Sequence, residues 1–122
     1  MNKVLIIDDD KELCALIKQS ILQECIEADC CYSGKSGLLQ LKEKEYQLVI
    51  LDVMMPGFDG FETLEQIRQE SSLPILMFIG NLKQIFNLSF HISANGDKSW
   101  ILRLFRHLSY REILGISLCF SA

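Results

Sequence analysis

Short, fully apolar runs alternate along the chain with longer segments whose apolar residues recur at helical spacing. Val4-Leu5-Ile6-Ile7 is a continuous run of branched residues, the pattern of a strand buried on both faces, and it ends at Asp8-Asp9-Asp10. Leu13, Leu16, Ile17 and Ile21 then fall on one helical face, with Asp10 placed to cap its start. Ile26 to Tyr32 reads as a more polar strand at a sheet edge. Gly34 to Lys44 reads as a helix with Leu38 and Leu41 on one face. Leu48-Val49-Ile50-Leu51 is the second buried-strand signal and ends at Asp52. Pro56-Gly57-Phe58-Asp59-Gly60 has loop chemistry, and Phe61, Leu64 and Ile67 mark a third helix. Pro74 opens a further apolar run, Ile75 to Ile79. Strands alternating with helices in this way predict βαβ units: an α/β fold with a parallel sheet covered by helices on both faces. In such sheets the working site lies beyond the carboxyl ends of the strands.

After residue 79 the pattern changes. Phe86, Leu88, Phe90, Ile92 and Ala94 alternate with Asn87, Ser89, His91 and Ser93, a period of two. Asn95-Gly96 is a hairpin-turn signal, and a run from Trp100 to Phe105 follows, so 86–105 is expected to form a β-hairpin. Ser109 and Glu112 fit a capping box, with Leu108 and Ile113 placed as a staple, for a short helix through about Leu118. Charge shifts at the same place. Residues 1–74 hold 14 Asp/Glu against 7 Lys/Arg, whereas residues 75–122 hold 2 against 5, and both prolines lie in the first part. A chain of 122 residues leaves no room for a second domain, so the shift lies within one domain.

Composition narrows the function classes. Hydrophobic residues at 49% and charged residues at 23% are globular values and exclude disorder. No apolar run approaches the ~20 residues of a membrane span and no leader is recognised, so a cytoplasmic protein without a membrane partner is expected. A net charge of −4 argues against direct nucleic-acid binding. Cys14, Cys25, Cys30, Cys31 and Cys119 form no C-x-x-C pair, and with His91 and His107 they give no zinc-ligand spacing; buried free thiols are expected.

The chemistry concentrates in aspartates. Asp8 and Asp9 end the first buried strand and Asp52 ends the second. If those strands are neighbours, three carboxylates converge, and like charges that close repel unless a cation intervenes. Mg²⁺ fits such a set, taking one or two carboxylates, a carbonyl and waters while leaving room for phosphate oxygens. An aspartate beside it can attack phosphorus and become an acyl phosphate. The bland alternative is helix capping by Asp10 and solvated loop ends at Asp8, Asp9 and Asp52.

"VLIIDDD", "LVILDVMMPGFDGFETL" and "LPILM", in this order and spacing, resemble the receiver domain of two-component response regulators over residues 2–77. The similarity is greatest to the class whose receiver precedes a winged-helix DNA-binding domain. The resemblance implies a flavodoxin-like (βα)₅ fold with strand order 2-1-3-4-5. It implies a signalling phosphoacceptor rather than an enzyme, taking a phosphoryl group on Asp52 from a histidine kinase or histidine phosphotransfer protein. It also implies Mg²⁺ held by Asp9, Asp52 and the Met54 backbone carbonyl, with Asp8 joining through water and with Pro56 and Gly57 shaping the adjacent loop.

The last third departs from that family. The Thr or Ser that ends the fourth strand is matched by Ile79, which has no hydroxyl. The Lys-Pro pair that ends the fifth strand is absent; Lys98 and Arg103 are candidate substitutes for the lysine, Arg103 the better placed. A change of reading frame near codon 78 would account for the lost residues, the charge shift and the missing output domain together. A stand-alone receiver with a rebuilt output surface is the alternative. A pseudo-receiver is the second functional reading: a phosphorylation-independent binding module or homodimer using Phe86, Phe90 and Trp100. An aspartyl-phosphate phosphatase would need an aspartate two residues after the nucleophile, where Met54 stands.

Overall fold

The computed structural model describes residues 2–52, 55, 60–79, 84–89, 99–101 and 103–104. The elements are β1 (Asn2–Ile7), α1 (Lys11–Leu22), β2 (Ile26–Cys31), α2 (Gly34–Glu43), β3 (Leu48–Asp52), α3 (Gly60–Glu70), β4 (Ile75–Ile79) and β5 (Gln84–Ser89). They form one five-stranded sheet in the order β2-β1-β3-β4-β5. The first four strands are parallel, as the alternation of elements requires. The apolar runs become the inner strands because each is sandwiched: every residue of β3 is buried, as are Val4 to Ile7 of β1.

Alternate strand residues feed two cores. Val4, Ile6, Leu48, Ile50 and Leu76 pack with Cys14, Ile17 and Ile21 of α1. Leu5, Ile7, Val49, Leu51, Ile75 and Met77 pack on the other side with Ile67 of α3, joined by Leu38 and Leu41 of α2. This is the doubly wound, flavodoxin-like arrangement. The start of α1 follows its sequence signal, and α2 is capped in the same way. The Asp10 carboxylate accepts the Leu13 N–H at 3.0 Å and caps α1. The Ser33 hydroxyl accepts the Ser36 N–H at 3.2 Å and caps α2.

The expected hairpin at 86–105 is corrected. The strand signal is real at β5, but its partner is β4, to which it runs antiparallel with Leu76 opposite Leu88 and Ile79 opposite Gln84. Four residues separate β4 from β5, too few for the crossover of a dozen or more that a parallel pair needs. Residues 99–101 and 103–104 are helical, not strand. Trp100, Ile101 and Leu104 stand at i, i+1 and i+4, one face of a helix, and bury themselves in the α1-side core. Trp100 is therefore core rather than an exposed docking residue. The Asn95-Gly96 turn and the helix expected from Ser109 lie outside the described residues.

Candidate functional site

The parallel register that pairs Ile7 with Leu51 brings the next residue of each strand, Asp8 and Asp52, level at the carboxyl end of the sheet. Both are only 1% exposed, whereas Asp9 is open to solvent. Carboxylate oxygens from Asp8, Asp9 and Asp52 lie within 4.8 Å of one another. The convergence expected from the sequence is therefore realised.

Local structure fixes these carboxylates. The Asp8 N–H donates to the Cys31 carbonyl at 3.0 Å, extending the β1–β2 ladder one residue past the strand. The Asp8 carboxylate accepts the Asp10 N–H at 2.9 Å, which turns the chain from β1 into α1. The Cys14 thiol lies 3.4 Å from the Asp8 carbonyl, beneath the same turn. Neither Cys14 nor the Cys31 carbonyl was marked by a sequence motif; only the β1–β2 register and the first turn of α1 bring them here.

On the β4 side, Phe78 pairs with Asp52, so Ile79 ends its strand one residue beyond the phosphoacceptor candidate. Arg103 is exposed on the helical segment whose other face enters the α1-side core. Met54, Pro56, Gly57 and Lys98 lie outside the described residues. Met55, between them, is buried with the α2- and α3-side cluster. Cys14 and Cys31 are buried free thiols, as expected, whereas Cys30 is only half-buried and Cys25 is exposed. Three carboxylates from two strand ends form an all-oxygen, strongly acidic donor set, and a hard divalent cation suits it.

A family model for the response regulator receiver domain matches residues 4–95. The chain belongs to that family. Among curated relatives, this receiver is 36% identical over 75 residues to the regulatory protein VanRB of Enterococcus faecalis, covering 62% of this chain and 34% of that protein. It is 42% identical over 77 residues to the CpxR homolog of Haemophilus influenzae, covering 63% and 34%. The receiver thus spans about a third of the length of these relatives. Of solved structures, the response regulator TrrA of Thermotoga maritima in complex with Mg²⁺–BeF aligns with a TM-score of 0.63 at 28% identity, covering 85% of this chain and 99% of that one. The complex of histidine kinase ThkA with TrrA also aligns, with a TM-score of 0.62 at 27% identity, over 81% and 78%. Among the described residues, no helix of the receiver is long and apolar enough to cross a membrane.

Proposed function

We propose that this receiver is a phosphoacceptor of a two-component relay, taking its phosphoryl group from a phosphohistidine onto Asp52. The observation that supports it most is the register-matched placement of Asp8 and Asp52 at adjacent inner strand ends, with Asp9 completing the acidic group. An Asp52 carboxylate oxygen attacks phosphorus in line. The new O–P bond forms as the P–N bond to the donor imidazole breaks, and that imidazole takes up a proton. Asp9, Asp52 and the Met54 carbonyl would hold Mg²⁺, with Asp8 reaching it through water and Pro56 and Gly57 shaping the loop alongside. Bound there, Mg²⁺ neutralises the crowded carboxylates and the phosphoryl oxygens. Asp8 serves from a buried position, oriented by the Asp10 N–H, and keeps the local field negative enough to recruit the cation.

Ile79 offers no hydroxyl to follow the phosphoryl group, so phosphorylation proceeds while its coupling to the far face of β4 is weakened. The test uses the whole chain with Mg²⁺ and acetyl phosphate, read by intact mass. One added phosphoryl group, lost in Asp52→Asn and after chelation by EDTA, is the expected result. Equal phosphorylation of parent and Asp52→Asn, or none in either, overturns the assignment.

A further inference from the structure

Cys14 and Cys30 are sixteen residues apart in sequence, yet α1 and β2 bring them together on one face of the sheet. Cys14 is buried in the α1-side core, and Cys30 packs against that same core from β2. The Cys30 thiol donates to the Cys14 carbonyl at 3.7 Å, which puts the two residues in contact, while the Cys14 thiol donates to the Asp8 carbonyl at 3.4 Å. Cys30 is also half-open: it lines a surface cavity of about 410 Å³ together with Lys18, Asp29, Tyr32 and Lys44.

We propose that Cys14 and Cys30 form a peroxide-reactive pair, in which Cys30 is oxidised from the cavity and Cys14 closes an intrachain disulfide between α1 and β2. Cys14 lies beneath the turn that carries Asp8, but the proposal does not depend on the reading of the acidic group. The Cys30 thiolate attacks the O–O bond of a hydroperoxide; an S–O bond forms, the O–O bond breaks, and the leaving alkoxide or hydroxide takes up a proton. Cys30 is then a sulfenic acid. The Cys14 sulfur attacks it, the S–S bond forms as the S–O bond breaks, and water leaves with the Cys14 proton. Two thiols are oxidised by two electrons and one hydroperoxide is reduced.

Electrostatics supports the division of roles. The Cys30 thiol is pulled down to about 7, first by its interaction with Cys14 and then by the Lys18 ammonium, against the opposing effects of burial and the Asp29 carboxylate. A thiol so lowered is about half thiolate near neutrality, far more than an ordinary cysteine. Cys31 is excluded as the resolving group because successive strand residues point to opposite faces, and Cys31 packs in the core on the other side. There burial pushes its thiol up. Cys25 precedes β2, so about 16 Å of strand separates it from Cys30.

The test is to treat the reduced chain with hydrogen peroxide, block remaining thiols, and map the products by mass spectrometry with fragmentation between Cys25, Cys30 and Cys31. The expected product is lighter by two hydrogens, carries a Cys14–Cys30 crosslink, and is restored by dithiothreitol. Cys14→Ser should leave Cys30 as a sulfenic acid captured by dimedone, with no crosslink. Cys25→Ser/Cys31→Ala/Cys119→Ser should keep the crosslink. A bridge from Cys30 to any other cysteine, a disulfide between two chains instead of within one, or an unoxidised Cys30 beside an oxidised Cys25 overturns the proposal. The map of the parent chain decides even where a variant fails to fold.

Discussion

At β3 every residue from Leu48 to Asp52 is buried, with β1 hydrogen-bonded on one side and β4 on the other. At β2 only Ile26, Ala28 and Cys31 are buried, and among the described residues β1 is its only neighbour in the sheet. Its outward residues are held by polar ties instead. The Asp29 carboxylate accepts the Tyr46 hydroxyl at 2.6 Å and faces Lys3 at 3.5 Å and Lys44 at 3.8 Å. The centre of the sheet thus positions the acidic group through non-directional packing that allows little slack. The edge is fastened by a few exchangeable contacts. Damage should grade accordingly from centre to edge.

The largest effect is expected at the centre. Ile50→Ala empties a fully enclosed site between the sheet and α1 and should cost about 2–5 kcal/mol in urea unfolding. Trp100→Ala asks whether the helical residues near the end of the described chain belong to that same centre. The Trp100 side chain is only 5% exposed, so about 3–5 kcal/mol is expected. A loss below about 1 kcal/mol, with Ile50→Ala unchanged, would place 99–104 outside the cooperative unit.

This grading also explains what could be read from the sequence. Val4 to Ile7 and Leu48 to Leu51 were legible because a strand buried on both faces has no polar positions to disguise it. The aspartates that follow them were legible because such strands must end where polar residues begin. Gln84–Ser89 could be recognised as strand from the alternation around Phe86 and Leu88, but its partner could not, since pairing depends on which edge is free and on the length of the link. The run Trp100 to Phe105 carries too few polar residues to show a period. Only contact with the α1-side core reveals that Trp100, Ile101 and Leu104 share a helical face. The juxtaposition of Cys14 and Cys30 depends on the packing of α1 on β2, and no local spacing encodes it.

A smaller effect is expected where α2 meets β1, one residue before the acidic group. A Cβ added at Gly37 would stand 2.4 Å from Cδ1 and 2.8 Å from Cγ1 of Ile7, so either the helix or Ile7 must move. Alanine gains about 1 kcal/mol in helix propensity, and the overlap should outweigh it, giving a net loss of about 1–2 kcal/mol for Gly37→Ala. Ile7→Val removes Cδ1, so the double variant should lose less than the sum of the single ones. Strict additivity would show that α2 yields without disturbing β1. Milder still is Asp10→Ala, which removes the carboxylate that receives the Leu13 N–H but keeps the Asp10 N–H that orients Asp8. About 1 kcal/mol of thermal stability should be lost, with Mg²⁺ affinity in the proposed site nearly unchanged.

The smallest effect belongs to the polar edge, and pH is the way to read it. Asp29 is held below the ordinary carboxylate range, foremost by the Tyr46 hydroxyl and then by Lys3 and Lys44, with partial burial opposing. Because its folded value is lowered, its contribution is fully present above the unfolded value near 3.8 and is lost as pH falls through the folded one. Tyr46 is pushed up to about 12, first by burial and then by its bond to Asp29. Its contribution is present below the ordinary value of 10.0 and is lost as pH rises toward 12. Tyr46→Phe should therefore flatten both limbs of the stability–pH curve while lowering mid-range stability by no more than about 1 kcal/mol, because Asp29 and its lysines remain partly solvated. Lys3→Gln should flatten only the acid limb, and by less. If Tyr46→Phe keeps the parent's acid limb, the lysines rather than the phenol hold Asp29. The edge would then be fastened by charge alone, and 0.5 M salt should erase the limb that a hydrogen bond would preserve.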